Sequence, residues 1–105
     1  MKKIMLINGP NINILGMRET DIYGDLSYTD LVNKLKSYAN DKGASLDAFE
    51  SNSEGAIIDK LQELMKSDYD GLIINPAAYS HYSYAIYDAL KALKLKKIEV
   101  HLTNI

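Results

Sequence analysis

What this chain can fold into is limited first by a hydrophobic period that keeps switching along its length. Ile4-Met5-Leu6-Ile7 is a continuous apolar run, as in a strand covered on both faces, and it stops at Asn8-Gly9-Pro10. From Ser27 the pattern turns helical. Ser27 with Asp30 resembles a capping box, Leu31, Leu35 and Tyr38 fall on one face, and Gly43 ends the helix near Lys42. Residues 45–49 (SLDAF) read as a second strand. Ser53 caps a second helix with the stripe Ile57, Ile58, Leu61, Leu64 and Met65. Gly71-Leu72-Ile73-Ile74 is a third buried strand ending at Asn75-Pro76. A third helix is expected over roughly residues 80–94, with Ile86, Ala89, Leu90 and Leu93 inward, and residues 97–102 make a fourth strand that begins like a buried one.

The order β-α-β-α-β-α-β predicts a parallel sheet with helices on both faces and right-handed crossovers. At 105 residues one domain is expected, and the α/β fold that fits is a flavodoxin-like doubly wound parallel sheet of strand order 2-1-3-4. Ligands of such sheets bind beyond the carboxyl ends of the strands, here at the switch point between strands one and three. The polar residues that do not belong to a core gather at those ends: Asn8 to Asn13, Asn75 to His81, and His101 to Asn104. Residues 8–26, with Gly9, Pro10, Gly16 and Gly24, form a connection too long for an ordinary strand–helix link, and such loops are often functional.

Composition removes several classes of function. Net charge is −2 with lysines dispersed, so there is no electrostatic case for a nucleic-acid partner. With no cysteine there is no disulfide, thiol catalysis or thiolate metal site, and two histidines are too few for a histidine-rich one. The opening MKKIMLI meets Asn8-Gly9-Pro10 too early for a signal peptide, and no stretch could span a membrane, so a cytoplasmic location is expected.

Glu99 and His101 alternate with Ile98, Val100 and Leu102, so they share one side of the last strand. A carboxylate beside an imidazole fixes its tautomer and favours the charged ring, the better proton donor near neutral pH. The same pattern also fits a structural ion pair on a half-exposed strand. Arg18 is the only arginine and lies five residues before Tyr23. A free phenol is about 0.1% ionised at pH 7. A guanidinium at about 4 Å supplies up to ~4 kcal/mol at an effective dielectric of ~20, roughly three pKa units. That makes Tyr23 a candidate base, although both residues also read as ordinary loop surface. The other seven tyrosines read as core-edge or interface residues. His81 follows a strand end and opens a helix, which fits a capping role as well as a site role. Asn11, Asn13 and Asn75 can serve turn backbone. Asp88, seven residues after His81, falls on about the same helical face.

Four blocks carry a resemblance: LINGPNINILGMRETDIYG (6–24), ESNSEGAIID (50–59), NPAAYSHYSYAIYDAL (75–90) and IEVHLTNI (98–105). In order and spacing they resemble the type II 3-dehydroquinate dehydratases (type II dehydroquinases). The resemblance implies a cofactor-free, metal-free lyase that removes water from 3-dehydroquinate by trans elimination, giving 3-dehydroshikimate in aromatic biosynthesis or quinate breakdown. It implies Tyr23 as the base at C2, with Arg18 beside it, and Asn11 holding a water against the enolate. It implies His101 as the acid for the C1 hydroxyl with Glu99 behind it, and Asn75 and the backbone around Leu102 and Thr103 on the substrate carboxylate. His81 is implied at the ring hydroxyls and Asp88 at a neighbouring subunit's site, in a homo-oligomer of trimers stacked into a dodecamer.

The sequence departs from the family pattern at Ala77, where the usual residue is glycine and a close backbone approach is expected to narrow, and mildly at Ser53 and Thr103. Family members also run past the final Asn-Ile into an H-A-R-E-x-x-R segment, a fifth strand and a last helix, and that segment supplies arginines. A C-terminally truncated domain is therefore expected, with an open edge on strand four and weak activity if the polypeptide ends at Ile105. The alternatives are an inactive assembly subunit of the same fold, and a flavin or phosphate module. The latter lacks a glycine-rich phosphate loop after strand one.

Overall fold

The structure, a computed structural model, describes residues 1–14, 17 and 26–101. Its strands are β1 (Lys2–Asn8), β2 (Ala44–Glu50), β3 (Gly71–Asn75) and β4 (Lys96–Glu99), and its helices are α1 (Tyr28–Asp41), α2 (Glu54–Leu64) and α3 (Tyr84–Ala92). Short 3-10 turns at Ile12–Ile14 and Ala77–His81 follow β1 and β3. The sheet is parallel with the expected order β2-β1-β3-β4.

Helix starts follow the capping residues. The Ser27 hydroxyl accepts from the Asp30 N–H at 3.1 Å, the Ser53 hydroxyl from Ala56 at 3.2 Å and the Ser83 hydroxyl from Ile86 at 3.2 Å. Gly43, at φ +82°, turns the chain from α1 into β2. The third helix starts at Tyr84 rather than near residue 80, because Ala77–His81 closes a separate 3-10 turn first. His81 therefore ends that turn instead of opening a helix, and its seven-residue spacing to Asp88 does not put the two on one helical face.

The chain steps from β1 outward to β2 and then back across β1 to β3, so right-handed crossovers put α1 on one face and α2 on the other. The main core lies on the second face. Met5, Ile7, Leu72 and Ile74 meet Ile57, Leu61 and Leu64 from α2 and Ile86, Leu90 and Leu93 from α3 and its cap. Burying such side chains is worth ~1.5–3 kcal/mol each.

The α1 face is thinner, and two expectations fail there. Val32 is the buried residue of α1, while Leu35 and Tyr38 are 36% and 64% exposed. Helix α1 packs on β2, an edge strand, so its stripe overhangs the sheet. Ile98 shares the register of Leu6 and Ile73 on this same face yet is 63% exposed, because no described element covers β4 there. Met65, expected inward, lies past the end of α2 and is also exposed.

Glu50 ends β2 with Oε1 buried and unpartnered among the described residues, and burial pushes its carboxyl above the usual range. A raised folded-state value favours the protonated form. The stabilisation is thus fully present below the unfolded carboxylate range and is lost as pH rises through the raised value. Glu50→Gln is expected to raise the unfolding temperature at pH 7 and leave it unchanged near pH 3, where glutamates are about fully protonated in both states. An equal change at both pH values would exclude this origin.

Candidate active site

The carboxyl ends of the strands form a rim stitched together by polar groups. Asn8 pairs in register with Glu50 on one side and Asn75 on the other. The Gly9 N–H donates to the Asn75 carbonyl at 2.7 Å, and the Ser51 N–H to the Asn8 carbonyl at 3.1 Å. Asn8 and Asn75 are buried, which requires such pairing. The Asn75 side-chain oxygen accepts the Ala77 N–H at 3.1 Å. Ala77 has φ +55°, a left-handed conformation costing an L-residue ~1–2 kcal/mol. That backbone is a structural reason for glycine to suit this position.

Beside this rim, the Val100 N–H donates to the Ile74 carbonyl at 2.8 Å, carrying the ladder one residue past β4 and returning His101 to the side of Glu99. His101 Nε2 lies 2.6 Å from Glu99 Oε2, the side chains being 19% and 33% exposed. Glu99 shares the register and face of Ile74, the face that carries α3. From α3, Tyr87 meets this carboxylate, and burial followed by Glu99 pushes its phenol up to about 12. Tyr87 therefore stays neutral and a donor at physiological pH. Because a carboxylate only accepts, Nε2 carries a proton, and Nδ1 is the position from which a charged imidazole could give one up.

A family model described as Dehydroquinase class II matches residues 2–105. The chain belongs to the class II dehydroquinase family. It is 51% identical over 105 residues to the 3-dehydroquinate dehydratase of Caldicellulosiruptor saccharolyticus, a match covering 100% of this chain and 72% of that protein. The counterpart from Thermotoga neapolitana is 50% identical over 103 residues, covering 98% and 69% respectively. Among solved structures, the type II dehydroquinase from Butyrivibrio crossotus superposes with a TM-score of 0.95 at 52% identity, covering 99% of this chain and 72% of that one. The enzyme from Propionibacterium acnes gives 0.94 at 38% identity, covering 100% and 72%.

Of the residues that the dehydroquinase resemblance singles out, the rim holds Asn11, Asn75, Glu99 and His101, with His81 exposed at the end of the turn after β3. Asp88 is exposed on α3. Arg18, Tyr23, Leu102 and Thr103 lie outside the described residues. Among the described residues no three histidine, aspartate or glutamate side chains gather as a metal site would require, and no helix is long and apolar enough to cross a membrane.

Three rim features were not foreseen. Asn52 contacts both Asn11 and Tyr79, Glu54 accepts a hydrogen bond from Ser83, and Asn11 has φ +69°. A hydroxyl that caps α3 while donating to the first residue of α2 ties two helix N-termini together under the rim. Ser83 and Glu54 are 29 residues apart, a pairing that no local sequence pattern announces.

Proposed function

We propose that this dehydroquinase is a hydro-lyase converting 3-dehydroquinate to 3-dehydroshikimate, in aromatic biosynthesis or quinate breakdown. The observation that carries the reading is the Glu99–His101 pair, at 2.6 Å, beside the rim of a chain matching the family over residues 2–105. His101 would protonate the departing C1 hydroxyl from Nδ1 while Glu99 holds Nε2 and balances the ring's charge. Tyr23, with Arg18 beside it, would take the C2 proton next to the ketone. The enolate that forms carries its charge on an oxygen where fixed donors stabilise it, and Asn11 would hold the water that meets it. Asn75 with the backbone at Leu102 and Thr103 would bind the carboxylate, and His81 the ring hydroxyls. Asp88, exposed on α3, suits a contact with a neighbouring subunit in a trimer-based dodecamer, and a cytoplasmic location suits the pathway.

Agreement at about half of all positions over the whole chain, spanning 72% of a relative named as the enzyme, does not favour an inactive assembly subunit. Incubation with 3-dehydroquinate is expected to produce the ultraviolet absorbance of a conjugated enone at a rate proportional to protein. No absorbance above the protein-free control would refute the activity.

A further inference from the structure

The connection SNS (51–53) separates β2 from α2 and supplies none of the acid–base groups proposed above. Its Asn52 nevertheless joins three connections. The Asn52 side-chain oxygen accepts the Asn11 N–H at 2.9 Å, in the connection after β1. The Asn52 carbonyl accepts the Tyr79 hydroxyl at 2.7 Å, in the turn after β3. Tyr79 itself packs on the main core and stands edge-on to Tyr82 with ring centroids 5.5 Å apart, so its hydroxyl is a fixed donor. Asn11, at the other end of the bridge, is exposed and holds φ +69°. A left-handed L-residue persists only when its surroundings hold it there. Here the Asn11 carbonyl accepts the Ile14 N–H at 3.3 Å, closing the turn, and Asn52 takes Asn11's only backbone donor. If Asn11 relaxed to negative φ, its side chain would leave its present direction.

We infer that Asn52 is a positioning residue for the dehydration: anchored by Tyr79, it holds Asn11 in the left-handed conformation that aims the Asn11 side chain at the substrate. The inference rests on the functional reading above and extends it to a block with no assigned part. A small displacement of a group that meets developing charge costs rate more than binding.

The test is kcat and KM for wild type, Asn52→Ala, Asn52→Asp, Asn11→Ala and the double variant Asn11→Ala/Asn52→Ala, with hydrogen exchange at the Asn11 amide. Asn52→Ala is expected to lower kcat about tenfold with less effect on KM, and to strip the Asn11 amide of its protection. Asn52→Asp is expected to restore most of the rate, since a carboxylate oxygen accepts the same N–H. In the Asn11→Ala background, removing Asn52 is expected to cost less than about twofold, because its route to the substrate is already gone. Tyr79→Phe, which leaves Asn52 in place, gives an independent variant should Asn52→Ala not fold; it is expected to lower kcat about threefold, and less in the Asn11→Ala background. An Asn52→Ala rate within twofold of wild type, or an undiminished loss in the Asn11→Ala background, overturns the positioning role alone. A wild type that forms no product overturns the functional reading, and this role with it.

Discussion

Replacing His101 by alanine is expected to lower kcat for dehydroquinate turnover by about 10²–10⁴-fold, the usual span for a positioned acid or base. The unfolding temperature is expected to move by only a few degrees. The two outcomes separate because of where the residue sits. The last ladder bond among the described residues is made by the Val100 N–H, and among those residues His101 adds none to the sheet's backbone pairing. Its loss leaves the Glu99 carboxylate without the imidazole, but that side chain is 33% exposed and water can replace the lost donor. What water cannot replace is a proton held at a fixed point beside the rim. Glu99→Gln keeps an acceptor for Nε2 but removes the charge that balances the ring, and a loss between wild type and His101→Ala is expected. Steady-state rates on enzyme whose folding is verified by circular dichroism decide the matter. A His101→Ala enzyme within tenfold of wild type would remove this residue from the chemistry.

Local interactions were the legible part of this chain. Ser27 and Ser53 each serve an N–H three residues ahead, a relation a sequence displays directly. The Glu99–His101 pair is legible for the same reason, since a two-residue period is built into any strand. The β2-β1-β3-β4 order follows from alternation, handedness and chain length. Failures occur where one stretch satisfies two patterns or where the partner is distant. Residues 80–83 run directly into a helical stripe yet belong to the end of a 3-10 turn and the approach to the Ser83 cap. Period reports a face, not what covers it: Tyr38 of the α1 stripe and Ile98 of β4 stand exposed beside sheet edges. Asn52 was unreadable because its partners are 41 and 27 residues away. Ala77 was legible as a departure from glycine, but the backbone angle of +55° that supplies a physical cause was not.

Gly9→Ala is expected to destabilise the fold by about 3 kcal/mol, combining overpacking with a lost hydrogen bond. In a domain of this size that lowers the unfolding temperature by roughly 10–25 °C. A methyl group on Gly9 would stand 2.5 Å from the Pro76 carbonyl oxygen and 2.8 Å from its carbon, and both atoms are backbone with no rotamer to escape through. Relief requires the exits of β1 and β3 to separate, which strains the 2.7 Å bond from the Gly9 N–H to the Asn75 carbonyl. The Pro76 oxygen also accepts the Tyr79 N–H at 3.1 Å, so displacing it disturbs the turn whose tyrosine anchors Asn52. Asn11 and Asn75 lie on either side of the same clash, and activity is expected to fall even at temperatures where the variant remains folded. Gly43→Ala provides the contrast. Gly43 has φ +82° with nothing within 4 Å of an added methyl group, so only backbone strain of about 1 kcal/mol is expected there, far from the rim and without effect on kcat. Thermal unfolding of the two variants side by side distinguishes a steric from a conformational requirement for glycine. A Gly9→Ala protein melting within a few degrees of wild type would show that the β1 and β3 exits are not pressed together, and that the rim owes its geometry to something other than this contact.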